Sequence, residues 1–207
     1  MAADRQTVLA WLADLSATIV SDVDDLADVT ARIAAAPGLD AAAFAAEALA
    51  LTRIIAESVT APADFDRFSI PATATGETAQ AFAILVAMGS AIAGCRAEWP
   101  SRPAARRARS QVSSAGDAGA AGASTLGGDG ADLYAWLTAV TAISCRLISE
   151  IAADAAPVIR IETGISLPST VLAYQLYGDA ARAGALIDLA GSATPMVMPT
   201  LFDALAS

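Results

Sequence analysis

The sequence predicts a mainly α fold: an antiparallel helical bundle followed by a small β-α-α-β module. Three observations carry this expectation. From Val8 to Ile151 apolar residues recur at three- and four-residue steps, the period of a helix buried on one side. Apolar residues make up 56% of the chain but aromatics only 5%, and alanine supplies most of the difference. Alanine favours helix because it loses no side-chain entropy there. At Val158 the pattern changes to a β-branched alternating run, Val158, Ile159, Ile161 and Thr163, which ends at Gly164.

The first helix is expected over 7–35. Val8, Leu9, Leu12, Leu15, Ile19, Val23, Leu26, Val29 and Ile33 form its apolar stripe, with Asp14, Asp22, Asp25 and Asp28 on the other face. Pro37-Gly38 stops it, and Asp40 can cap a second helix over 41–59, striped by Phe44, Ala48, Leu51, Ile55 and Val59. Residues 60–75, with Pro62, Pro71 and scattered aspartates, read as a loop, and a third helix over 77–98 ends before Pro100. With a short basic extension these segments give a bundle over 1–112. From 113 to 130 the sequence SSAGDAGAAGASTLGGDG repeats glycine too densely for helix or strand, so a flexible linker is expected. Its GGDG lacks the preceding strand and following Lys-Ser/Thr of a phosphate-binding loop. A fourth helix is expected over 131–156, with Asp132 as its cap. Leu133, Leu137, Val140, Ile143, Leu147 and Ile151 line one of its faces, and Pro157 ends it.

Net charge −10 argues against general nucleic-acid binding, because DNA binders gain affinity by replacing counterions around phosphates with Lys and Arg. The one basic cluster, Arg102, Arg106, Arg107 and Arg109, reads as a solvated helix end. Cys95 and Cys145 sit in separate helical patterns and read as small hydrophobes. The chain has no histidine, so a Cys-His nucleophile pair and the usual Cys/His zinc sites are excluded. Asp22, Asp24, Asp25 and Asp28 read as solvating charge, which leaves Glu162 with Asp179 as the one carboxylate pair of interest. No enzymatic activity, cofactor or metal is therefore expected. The most membrane-like stretch, 81–95, is shorter than the roughly 20 residues a spanning helix requires. It lies between Gln80 and Arg96, and it reads as a buried bundle helix, with no membrane span expected. The opening Met1-Ala2-Ala3-Asp4-Arg5 lacks the basic start and cleavage site of a secretory signal.

The module occupies 157–207. Its strand leads through Gly164 into Ser166-Leu167-Pro168. Two short helical patterns follow, hinged at Tyr177-Gly178-Asp179, and then an extended tail spaced by Pro195 and Pro199. Gly178 can take positive φ and reverse the chain, and Asp179 can accept from the free N–H groups of the second helix. Tyr174 and Tyr177 supply aromatic area, and Leu172, Leu176, Leu186 and Leu189 can meet between helices and sheet.

The run Leu167-Pro168-Ser169-Thr170-Val171-Leu172-Ala173-Tyr174-Gln175-Leu176-Tyr177-Gly178-Asp179-Ala180-Ala181-Arg182-Ala183 resembles the C-terminal part of the Mu-like phage DNA circulation (circularisation) protein, a tail and baseplate component. The same segment is more distantly similar to LysM modules, with Gly164-Ile165-Ser166-Leu167 at the first turn and Tyr177-Gly178-Asp179 at the second. The resemblance implies a LysM-like module and a structural role in the virion, made in the host cytoplasm. Its partners would be other tail and baseplate proteins (hub, tube, tape measure), in a symmetric homo-oligomer, with apolar tail segments such as Met196 to Leu205 buried against them. The residues it points to for docking are Gly164, Leu167, Pro168, Tyr174, Tyr177, Gly178, Asp179, Pro195 and Pro199. LysM modules elsewhere bind peptidoglycan glycans, so glycan binding is the alternative. DNA-end binding, which the family name suggests, is a lesser one that the acidity opposes. Relatives continue with Arg-Asn, His-Pro and a Gly-rich turn, where this chain has Leu189-Ala190 and Thr194-Pro195. The missing polar groups favour docking over glycan binding. The family's large N-terminal β domain has no counterpart here, which implies a shortened relative or a separate chain.

Overall fold

Aspartates decide where the first three helices begin. Helix α1 (Arg5–Ile19) starts at Asp4, whose carboxylate accepts from the Gln6 amide at 3.0 Å and the Thr7 hydroxyl at 2.6 Å. The Thr7 hydroxyl, ahead of the backbone amides, holds that carboxyl below its ordinary range. Asp22 caps α2 (Val23–Ala35) by accepting from the Asp24 and Asp25 amides, and Asp40 caps α3 (Ala41–Glu57) by accepting from Ala43. Asp24 and Asp25 also stand in the first turn of α2, where the helix dipole favours negative charge. The single helix expected over 7–35 is thus two helices. The backbone turns extended at Val20, and the Asp22 side chain replaces the helical bonds of the preceding turn.

The computed structural model describes residues 3–206. Met1, Ala2 and Ser207, at the ends of the first and last expected segments and in the opening considered for a signal, lie outside the described residues. The chain forms two compact units, Met1–Trp99 with Arg106–Ile151 and Pro100–Ala105 with Ala152–Ser207. After α3 come α4 (Pro62–Phe65), α5 (Gly76–Arg96), α6 (Arg102–Ser124) and α7 (Ala131–Asp154). They are followed by strand β1 (Val158–Glu162), helices α8 (Ser169–Tyr177) and α9 (Ala183–Ala190), and strand β2 (Leu201–Leu205). The protein is mainly helical, with one two-stranded antiparallel sheet near its C-terminus.

In the first unit the expected stripes of α1 (Val8, Leu9, Leu12, Leu15, Ile19) and α3 (Phe44 to Val59) are buried. Trp11 meets the edges of Phe68 and Phe82 at centroid distances of 6.4 and 5.3 Å. The expected loop 60–75 contains α4, which buries Phe65 edge-on against Trp99 at 5.2 Å. Helix α5 is longer than its apolar run. With 21 residues it is long and apolar enough to cross a membrane, so length does not argue against a span. Its apolarity is used inside the unit, where Phe82, Leu85, Val86, Met88 and Ala91 are buried.

The expected linker over 113–130 is mostly helix, because α6 continues to Ser124 and only 125–130 turns. Ala105, Ala108, Val112, Gly116, Gly119 and Ala123 are all buried, at the three- and four-residue steps of one helix face. The glycines are there because α6 lies against its neighbours. A Cβ at Gly119 would collide with Ala87 and the Ala83 carbonyl, and one at Gly116 with Thr141. Helix α7 also departs from expectation: it begins at Ala131, so Asp132 stands inside its first turn and not before it as a cap. It buries Leu137, Ser144 and Ile148, while Ile143 and Leu147 of the expected stripe are exposed. Contacts with small neighbours, Thr141 on Gly116 and Ile148 beside Gly94, turn that narrow row inward.

In the second unit β1 and β2 pair with Ile161 opposite Phe202 and Val158 opposite Leu205. Leu172, Ala173, Ala183, Leu186, Met198, Phe202 and Ala204 form the core, flanked by Ile161, Leu167, Leu176 and Tyr177. Phe202 and Ala204 point inward while Leu201 and Asp203 point out, the period-two alternation of a half-buried strand. Arg102, from the basic cluster, donates to the Ala152 and Ala153 carbonyls at 3.1 and 3.0 Å and so caps the end of α7. Arg106, Arg107 and Arg109 are exposed.

Overpacking a close helix contact typically costs 1–3 kcal/mol. Gly119→Leu is therefore expected to lower unfolding free energy by about 2–3 kcal/mol, and Ala118→Leu on the exposed side by no more than about 0.5 kcal/mol. Urea unfolding monitored by circular dichroism compares them. Arg32 and Glu47 form a two-pronged ion pair at 2.7 and 3.1 Å between α2 and α3. The Arg32 hydrogen bond holds the Glu47 carboxyl below its ordinary range. A carboxyl depressed on folding contributes stability above its unfolded value and loses it as pH falls through the folded one. Glu47→Gln should thus cost about 0.5–1 kcal/mol at neutral pH, and the difference from the parent should close in acid.

Candidate docking site

Beyond β1 and β2 the backbone pairing continues as a zipper between two loops. The Thr163 amide donates to Thr200 O at 2.7 Å, the Met198 amide to Leu167 O at 3.1 Å, and the Ser169 amide to Pro195 O at 2.8 Å. The Ser166 hydroxyl donates to Met198 O. At the other end of the sheet the Ala206 amide closes onto Pro157 O at 2.8 Å. The loops need no regular secondary structure to be fixed, since each bonds the other at several points.

This zipper brings Leu167, Pro168 and Pro195 together. Leu167 and Pro168 are half-buried, Gly164, Pro195 and Pro199 are exposed, and the Pro168 carbonyl accepts the first amide bonds of α8 from Val171 and Leu172. Tyr177, Gly178 and Asp179 occupy a different corner. Gly178 ends α8 with φ 70°, its amide on Tyr174 O at 2.8 Å. That left-handed conformation is the one expected of a glycine hinge. Asp179 accepts from the Ala181 amide at 2.8 Å, so it caps the 3-10 turn Ala180–Arg182 that leads into α9. Tyr177 is a latch: its hydroxyl accepts the Leu205 amide at 3.1 Å, and the Arg182 guanidinium sits 4.0 Å above its ring. Its role is internal to the module. Tyr174 projects from α8 and is 65% exposed.

Of the surface that the zipper presents, Met196 and Val197 fall within the expected apolar tail, and Ile165 was missed in the sequence. Ile165, Met196 and Val197 are 66%, 69% and 60% exposed, on two loops bonded to each other through Ser166, Leu167 and Met198. The available signal was bulky apolar residues between Gly164 and Pro168 and between Pro195 and Pro199, where loops usually carry polar ones. The expectation that 196–205 is an apolar tail awaiting neighbours needs correction. Met198, Phe202 and Ala204 fill the module's own core, because Phe202 and Ala204 take the inward positions of β2 and the Met198 amide is tied to Leu167.

Asp179 serves as a cap, while Glu162 lies at the end of β1 opposite Leu201. Among the described residues no group of three carboxylate, thiol or imidazole side chains converges as metal ligands would. Burial pushes both the Cys95 and Cys145 thiols up, away from the thiolate form a nucleophile needs. The helical unit holds a cleft of about 700 Å³ lined by Arg5, Phe44, Leu49, Ile84 and Leu133 among others. Arg5 is committed there, donating to Leu39 O at 2.7 Å and stacking 4.8 Å from the Phe44 ring. No protein-family model matches the chain, and no curated protein matches it.

Removing the Tyr177 hydroxyl leaves the Leu205 amide without its acceptor, a loss of about 1–2 kcal/mol for a part-buried group. Tyr177→Phe is expected to destabilise the module by that amount and to speed hydrogen exchange at Leu205 before exchange in α1 or α3 changes. Equal acceleration at all these sites would contradict the latch.

Proposed function

We propose that this chain is a structural protein of a tailed phage or related tail-like particle, located at the baseplate hub or tail tip. In this reading 157–207 is a LysM-like docking module and the helical segments form the antiparallel bundle of the family's middle region. The observation that carries it is the apolar cluster of Ile165, Met196 and Val197, held out on two mutually bonded loops. Apolar residues fixed on a rigid support lose little entropy on binding, which favours permanent attachment to a neighbouring subunit. The seventeen-residue run from Leu167 to Ala183 that resembles the phage family supports the same role. Several polar groups a glycan would use, including the Ser166 hydroxyl and the Ser169 and Met198 amides, are bonded within the module.

One observation favours peptidoglycan binding as a second reading: the outward Tyr174 ring, free to stack on a sugar face.

Particles purified from cells that express the chain, studied by electron microscopy and mass spectrometry, are expected to contain it. Met196→Glu with Val197→Glu should cut its incorporation at least tenfold while the isolated protein keeps its circular dichroism spectrum. Absence of the parent chain from the particle, or undiminished incorporation of the double variant, would defeat the proposal. Retention on insoluble cell wall that Tyr174→Ala removes would transfer support to glycan binding.

A further inference from the structure

Helix α7 shows solvent a face that surface helices do not ordinarily have. Its inward row is Leu137, Ser144 and Ile148. On the opposite side Trp136 and Ile143 are 44% and 60% exposed, and the neighbouring Ala135, Ala139 and Ala142 are exposed as well. At 100° per residue these fall in one outward arc. The window over Gly127–Asp154 is as apolar as a membrane span, yet only 22% of it is buried, against 61% for α5. A helix on a protein surface normally turns polar residues outward, so this arc is made to be covered.

We propose that it is covered by α7 of a second copy of this chain, packed antiparallel about a twofold axis that passes Ala139. Charge selects this partner and this direction. Asp132 and Arg146 lie on the arc, seven residues to either side of Ala139, and both are exposed. The twofold pairing sets Arg146 of each copy beside Asp132 of the other, twice per dimer. Arg146 already bonds Glu150 at 3.2 Å, and its five N–H donors can hold both carboxylates. The same symmetry keeps Trp136 and Ile143 on one flank of the seam, where Trp136 meets Ile143 of the second copy, and sets Ala135 against its Ala142 on the other flank. The alanine on the axis lets the helices approach closely. A parallel pairing would set Asp132 on Asp132 and Arg146 on Arg146, and a bilayer would have to bury both in hydrocarbon, which is costly.

Area sets the strength. Twenty residues of helix, about 30 Å long and 10–12 Å across, cover roughly 300 Å² per copy. That is less than half of the ~800 Å² per partner in a standard stable interface, so the dimer is expected to be weak and reversible. The proposal is independent of the role of the C-terminal module, and either can fail without the other.

Sedimentation velocity of the full chain from about 1 to 200 μM tests it. A reversible monomer–dimer equilibrium is expected. Ile143→Glu, at an exposed position, should abolish the dimer and leave the circular dichroism spectrum unchanged. Asp132→Arg and Arg146→Asp should each weaken association roughly tenfold, and the two together should restore it to within about threefold. A chain that stays monomeric throughout overturns the proposal, as does a dimer indifferent to Ile143→Glu or a double variant no tighter than the single ones. A monomer that instead floats with vesicles of phosphatidylcholine and phosphatidylglycerol, and loses them on Ile143→Glu, assigns the face to lipid.

Discussion

Close approach of helices through small side chains is the constraint on which the helical unit depends. With few aromatic residues the chain cannot fill wide gaps, so α6 must lie almost backbone to backbone on its neighbours. Gly116 on Thr141 and Gly119 on Ala83 and Ala87 achieve this, with buried Ala105, Ala108 and Ala123 along the same face. Each contact contributes little area, but packing is dense and many weak dispersion contacts add. Large side chains are held for a few places, such as Trp11 between Phe68 and Phe82 and Phe65 against Trp99. A thin core of this kind tolerates added volume poorly. It also leaves a helix like α7 anchored by a narrow row, with apolar surface remaining outside.

The C-terminal unit solves a different problem. About sixty residues with two five-residue strands offer little core, and Leu172, Leu186, Met198 and Phe202 are most of it. Fixed geometry comes from polar contacts around that core: the loop zipper, the Tyr177 latch and the Asp179 cap. With these groups engaged inside the module, the zipper loops hold Ile165, Met196 and Val197 out to solvent. That division of labour suits attachment better than chemistry and links the module's local bonding to its proposed use.

Much of this was legible residue by residue. Asp40 capping α3, the buried stripe of that helix, Gly178 at positive φ and Asp179 as a cap all follow from local rules, since each depends on neighbours within a few positions. The break between α1 and α2 was legible in principle, because Asp22-Val23-Asp24-Asp25 is a helix start. It was obscured by apolar spacing that continues in phase from Ile19 to Val29. The α6 segment was misread because glycine density normally signals flexibility. Its regular three-residue spacing at 116, 119 and 122 is equally the mark of a crowded helix face, and only the neighbour's position distinguishes the two.

The sequence by itself determined the caps at Asp40 and Asp179, the change to strand at Val158 and the reversal at Gly178, because these are set by backbone sterics and nearby side chains. It did not determine which face of α7 turns inward, that Met198 and Phe202 fill a core while Met196 and Val197 face out, or that Tyr177 reaches the Leu205 amide. Those outcomes depend on residues distant in the chain meeting in space. Only the tertiary structure, by choosing which surfaces of each element are covered, decided them.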